Sequence, residues 1–307
     1  MQVRMDIKTT EVREGTLSLS VELSPPKTDA GLQNLQTQIS LLDTINPRTI
    51  CVTSGAGGTD NIQTFSTIKH LEKYTSAPPT AHLTCVANTK SETQKTLDQY
   101  SKEDICNIVA LRGDPKETSG TSAPPNGYAN AAELVRGIRD RQDGNRFHIS
   151  VAGYPEIHPK AKSKKADIES LKVKVGEGAD LILSQFFFDP TIFLSFLEDL
   201  NKSRIDVPAV PGIILISDFP RIRNFAAKCG ANIPDWISNR FTDTEIGSES
   251  ANAIAEELAL QQCTTLIENG VQMFHFFTLN RLDLTARTCE SLLNEFCSLK
   301  APNCKNS

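Results

Sequence analysis

No stretch of this 307-residue chain contains the run of about 18 apolar residues that a helical membrane span requires, and residues 1–15 lack the apolar core of a signal peptide. No Cys-x-x-Cys pair occurs among the eight cysteines, and no two of the five histidines stand at metal-ligand spacing. Neither a disulfide framework nor a bound metal is therefore expected, and the compartment expected is the reducing cytoplasm. No Gly-x-Gly-x-x-Gly opens a helix, which argues against a Rossmann-type dinucleotide site. Charge of neither sign dominates: 32 basic residues face 37 acidic ones, for a net charge of −5, so no nucleic-acid or membrane-surface partner is expected. Aromatics make up only 6% of the chain, yet three phenylalanines stand in a row, Phe186, Phe187 and Phe188.

What is present is an alternation. Residues 16–23 put Leu17, Leu19 and Val21 on one side and Ser18, Ser20 and Glu22 on the other, the period of a strand. Further strands are predicted over 49–53, 81–86, 107–111, 147–151, 181–184, 209–215 and 271–277. Helical spacing falls between them, over 32–42, 60–74, 91–102, 129–142 and from 190 onward, and again over 281–298. A longer insertion spans 217–269 and carries a strong helix over 249–268, while 117–127 is rich in Ser, Thr, Pro and Gly and reads as a loop. Eight strand–helix units in this length point to an α/β fold, a single (β/α)8 TIM barrel over 16–300 with an extra helical segment between strands 7 and 8. Residues 1–15 would form an N-terminal arm and 301–307 a tail. An open doubly wound sheet is the rival arrangement.

In such barrels the chemistry gathers where strands end. Those positions hold Glu22, Thr53, Arg112, Gly113, Asp114, Tyr154, His158, Gln185 and the segment 275–278. Each also has an ordinary structural reading. Glu22 stands just before the helix-entry pair Pro25-Pro26, Asp114 before Pro115 suits an Asx turn with Arg112 as its partner, and His82, His158 and His275 suit core histidines. Lys160, Lys162, Lys164 and Lys165 read as a solvated face or as a landing site for a phosphorylated ligand.

The motifs SVELSPPK (20–27), VTSGA (52–56), AHLTC (81–85), LRGDP (111–115), GYPEIHP (153–159), SQFFFD (184–189), PGI (211–213) and HFFTLNR (275–281) occur in this order. Together they resemble the methylenetetrahydrofolate reductase family, in its short form with the catalytic barrel alone. The resemblance implies an FAD-dependent oxidoreductase that takes hydride from NADH or NADPH. It then reduces 5,10-methylenetetrahydrofolate to 5-methyltetrahydrofolate at the same site, or runs the step in the oxidative direction. By motif, Glu22 would be the general acid that opens the methylene bridge, its pKa raised by partial desolvation, and Asp114 would hydrogen-bond the pterin. Gln185, Phe225, Thr53, Phe277 and Arg281 would bind substrate. The flavin would be held by Thr53, His82, Leu111, Arg112, Gly113, Asp114, Tyr154, His158, Ala161, Asp167, Lys174 and Leu183, with no metal.

Two positions depart from the family pattern. Phe277 and Ser54 stand where tyrosine is common, and at Phe277 a hydroxyl contact to substrate or nicotinamide is missing. The resemblance also implies self-association into a homo-oligomer and no appended regulatory domain. The competing reading is an accessory paralogue of the same barrel that binds flavin or folate without turning it over.

Overall fold

The computed structural model describes residues 16–54, 61–85, 88–113, 124 and 126–300. The expected arm, the expected tail and Asp114 lie outside the described residues, as does most of the expected 117–127 loop. Eight parallel strands close in sequence order into a barrel. They are β1 (Ser18–Leu23), β2 (Thr49–Val52), β3 (Pro79–Thr84), β4 (Asn107–Leu111), β5 (His148–Gly153), β6 (Leu181–Phe186), β7 (Ala209–Ile214) and β8 (Met273–Phe277). The last pairs with the first, Ser20 opposite His275 and Glu22 opposite Phe277, so no edge is left open.

Helices return the chain between strands: α1 (Asp29–Gln38), α2 (Asn61–Leu71), α3 (Lys90–Lys102), α4 (Ala131–Arg139), α5 (Lys164–Gly176) and α6 (Pro190–Lys202). The expected extra segment between strands 7 and 8 consists of α7 (Phe219–Cys229), α8 (Asp235–Arg240) and α9 (Glu249–Glu268), and α10 (Leu282–Lys300) follows the last strand. Local chemistry sets several starts. Thr89 and Glu92 form a reciprocal capping box at α3, Ser248 accepts from Ala251 N at α9, and Asp189 caps α6 with Pro190 in its first turn.

The period of two along β1 divides its residues as the sequence implies. Leu19, Val21 and Leu23 join the main core between sheet and helices, whereas Ser18 and Ser20 line the barrel interior. A second apolar cluster sits beneath the inserted helices. It unites Phe186, Phe188 and Ile214 with Ile222, Ile237, Phe241 and Leu258.

Several element ends differ from expectation, and three have a local cause. β3 covers Pro79–Thr84 rather than 81–86, because its register is set by Thr80 opposite both Cys51 and Asn107, pairings that hydropathy does not encode. α4 is shorter than 129–142 because Asn130 caps it, accepting from Glu133 N. β6 continues past Ser184 through Gln185 to Phe186, with a register shift between Leu183 and Phe186. Among the described residues, no helix is long and apolar enough to cross a membrane.

Candidate active site

Glu22 is the penultimate residue of β1 and points into the barrel, its side chain 18% exposed. Two imidazoles converge on its Oε2: His82 Nε2 from β3 at 3.2 Å and His275 Nε2 from β8 at 3.6 Å. Neither nitrogen has a well-aligned hydrogen-bond partner. Behind His275, the Ser20 hydroxyl lies 2.9 Å from Nδ1. The Glu22 backbone is held as well, since Thr278 donates to its carbonyl from Oγ1 at 2.6 Å and from N at 3.3 Å.

This arrangement corrects the expected electrostatics. Burial is the largest single influence on the Glu22 carboxyl and raises its pKa, but His82 first and then His275 outweigh it. Together they hold the group at about 2, against an ordinary 4.5. The sign for stability follows. A carboxyl lowered on folding adds stability that is complete above pH 4.5 and is lost as the pH falls toward 2. Urea unfolding of wild type and Glu22→Gln should therefore show a stability gap, at most about 3 kcal/mol, that narrows across that window. A gap independent of pH would mean that the imidazoles do not hold the carboxylate.

Gln185 sits in the β6 irregularity. Ser184 Oγ accepts from Gly212 N at 2.9 Å and donates to Gln185 O at 2.9 Å, while Gln185 Oε1 accepts from Phe186 N at 3.0 Å. Such a bulge re-aims one side chain without ending the strand. Phe186 anchors an aromatic wall: its ring centroid lies 5.1 Å from Phe225, 5.8 Å from Phe277 and 5.8 Å from Phe188. The Phe277 ring stands edge-on to His275 at 5.1 Å. It also packs against β7, where a Cβ on Gly212 would come within 2.5 Å of it.

A second group assembles after β5. Tyr154 and His158 stack edge to face at 4.5 Å, His158 N donates to Asp167 Oδ2 at 2.9 Å, and Ala161 N donates to His158 O at 2.8 Å. Lys174 Nζ donates to Ala152 O at 2.5 Å, and burial pushes its pKa down to about 8 against the pull of Asp167. Gly113, after β4, takes φ 79°, and a Cβ there would lie 2.9 Å from Thr84 Cβ. Arg112 is exposed, and its Nε lies 3.4 Å from Gly113 O. Thr53 N donates to Leu23 O at 2.9 Å, which sets it beside the end of β1.

Other expected residues stand apart. Arg281 is engaged by Asp283 at 3.4 Å, Leu183 lines the opposite, N-terminal half of the barrel, and Leu111 closes β4. The four clustered lysines are exposed, with Lys164 paired to Asp199 at 2.7 Å. Among the described residues, no group of His, Cys, Asp and Glu has the arrangement of a metal site.

The family model for methylenetetrahydrofolate reductase matches residues 8–293. The chain belongs to that family. It is 36% identical to the 5,10-methylenetetrahydrofolate reductase of Salmonella typhimurium, covering 91% of this chain and 92% of the relative. It is also 36% identical to the Escherichia coli protein of the same name over the same shares. Against Arabidopsis thaliana methylenetetrahydrofolate reductase (NADH) 1 the identity is 32%, and the match covers 47% of that longer protein. Among solved structures, a Clostridium thermocellum protein that binds two copies of 5-methyl-5,6,7,8-tetrahydrofolic acid superposes with a TM-score of 0.62 over 91% of this chain and 96% of its own. At 13% identity that likeness speaks to the barrel fold.

Sequence reasoning left His82 and His275 open between core and site. The structure makes them both: buried, and turned onto Glu22. Ser20 was read only as a face-mate of Glu22. The alternation of Ser20, Glu22 and His275 toward the interior was a signal, but their meeting depends on barrel closure.

Proposed function

We propose that this chain reduces 5,10-methylenetetrahydrofolate to 5-methyltetrahydrofolate at the open end of the barrel, with FAD as its resident redox group and NADH or NADPH as hydride donor. The observation that carries the reading is the Glu22 carboxylate set between two imidazoles beside an aromatic wall. Opening the methylene bridge requires a proton on the departing nitrogen, and this cluster is built to hold one near that point. A carboxyl at about 2 is not by itself an acid at neutral pH. A planar substrate laid over it removes water and penalises the charged form, which favours a proton on Glu22. The acid is then the cluster, with Glu22 as its delivering atom.

The residues suit a flavin. Gly113 packs its backbone against Thr84, where a Cβ would lie 2.9 Å from Thr84 Cβ, Thr84 Oγ1 is a buried polar atom without a hydrogen-bond partner, and Lys174 offers a half-buried cation near Asp167. Thr53, Arg112, Asp114, Tyr154, His158, Ala161 and Asp167 would complete the cradle, which the barrel over 16–300 would hold as one catalytic unit. When bound, FAD supplies the two-electron chemistry, taking hydride from the nicotinamide and giving it to the folate. Gln185 would orient the pterin, since its amide both donates and accepts. Phe225 and Phe277 would stack on either substrate in turn, which suits alternating occupancy of one site.

Phe277 has the ring but no hydroxyl. Phe277→Tyr should lower the KM of one substrate through an added hydrogen bond worth about 0.5–1.5 kcal/mol. Steady-state kinetics check this, and two unchanged Michaelis constants would refute it.

The reading itself is tested by anaerobic stopped-flow absorbance of purified protein with FAD. Addition of NADH should bleach the flavin band, and methylenetetrahydrofolate should restore it. A protein that takes up no flavin overturns the reading, and one that holds flavin but never bleaches is the accessory paralogue instead.

A further inference from the structure

The N-terminal half of the barrel interior carries several polar side chains where barrels of this kind are filled with branched apolar ones. β1 to β5 and the turn before β2 bring Ser18, Ser20, Arg48, Thr80, Asn107, His148 and Ser150 around one internal cavity of about 40 Å3, and the apolar side chains of β6 to β8 close it. About 10–15 Å3 is enough for one water. His148 is 9% exposed and lines this cavity, yet its buried Nε2 has no hydrogen-bond partner. A buried polar atom left so is expected to meet water. Ser20 lines the same cavity and reaches His275 Nδ1 at 2.9 Å, and His275 Nε2 lies 3.6 Å from Glu22. The cavity therefore adjoins the back of the acid cluster.

We propose that this chamber holds water that returns a proton to Glu22 from the N-terminal end of the barrel, through Ser20 and His275, with His148 as the residue that positions the water. The proposal rests on the functional reading above. Converting a methylene to a methyl group with NADH or NADPH consumes one hydride and one proton per turnover, so the acid must be recharged each cycle. Stacked ligands at the mouth cover Glu22 from solvent on that side. From the chamber, water gives a proton to Ser20 Oγ as the hydroxyl proton passes to His275 Nδ1. The proton on Nε2 then moves to the Glu22 carboxylate, a proton from solvent returns the chamber hydroxide to water, and His275, left with its proton on Nδ1, regains the Nε2–H tautomer by exchange with solvent once product has left. One proton enters, one reaches Glu22, and no bond to carbon changes.

The charged groups acting on His148 are Asp180, which favours its protonation, and Arg48 and Arg139, which oppose it. Burial is the largest influence and lowers its pKa. A neutral imidazole that accepts from one water and orders it is the expected state.

The test combines structure with kinetics on the FAD-loaded enzyme. A high-resolution crystal structure of the wild type should show ordered water bonded to His148 Nε2 and within reach of Ser20 Oγ, and a dry chamber would overturn the proposal. His148→Leu should slow folate-driven recovery of the flavin band by roughly tenfold or more and flatten its pH profile, with the folate KM unchanged. His148→Gln, which keeps a polar group facing the chamber, should restore most of the rate. Ser150→Val provides a second drying variant if His148→Leu fails to fold. Wild-type rates and pH profiles in both drying variants would overturn the route while leaving the reductase reading intact. A wild type that bleaches with NADH but never recovers with folate would instead sink the reductase reading, and the route with it.

Discussion

Glu22→Gln should accept hydride from NADH at nearly the wild-type rate and lose folate-driven recovery by about 10²–10⁴-fold, the usual worth of a positioned acid. The substitution keeps shape and volume and still offers an oxygen to His82 and His275, which approach the native carboxylate at 3.2 and 3.6 Å. It cannot carry a proton to the departing nitrogen. The two half-reactions are separable in a stopped-flow spectrophotometer, so the loss can be assigned to one of them. Recovery within about threefold of wild type would remove Glu22 from the chemistry and leave the histidine pair to act without it. A loss shared equally by both halves would indicate a damaged mouth instead.

Gly212→Ala is expected to cost both stability and substrate binding. A Cβ at this β7 position would lie 2.4 Å from the Ser184 carbonyl and 2.5 Å from the Phe277 ring. The ring can move, but Ser184 belongs to the neighbouring strand, and its hydroxyl accepts from Gly212 N. Overpacking of this kind costs about 1–3 kcal/mol, visible as a lower urea midpoint. The displaced Phe277 should intrude on the mouth and raise both substrate KM values. Combining Gly212→Ala with Phe277→Leu separates the two clashes. Kinetics restored with stability still low would confirm that the ring governs binding and the carbonyl governs folding. An alanine variant as stable and as active as wild type would show that the strand pair yields freely.

The architecture was legible because it rests on local signals. Alternation in β1 and the cap and length of α9 are properties of neighbouring residues. The site was legible only in part. Glu22 and Gln185 stand at strand ends and announce themselves, yet the irregularity that turns Gln185 arises from the pairing of β6 with β7. His82 and His275 lie on strands far apart in the chain, and one-dimensional periodicity gives each a face but not a common target. The sign of the Glu22 shift failed for the same reason. Burial alone raises a carboxyl pKa, and the opposing imidazoles become visible only once β1 lies between β2 and β8, with β3 in place beyond β2.

The contact that secures the Glu22 carbonyl, Thr278 Oγ1, comes from 256 residues later in the chain. During synthesis the first strand leaves the ribosome long before β8 and waits for its partner through most of translation. Until β8 docks, β1 has an unpaired edge and Glu22 lacks both His275 and its backbone anchor. Contacts of such sequence separation form late and slowly. Closure of the barrel by β8 thus completes the setting of the Glu22 carboxylate, and a chain that has not yet closed lacks it.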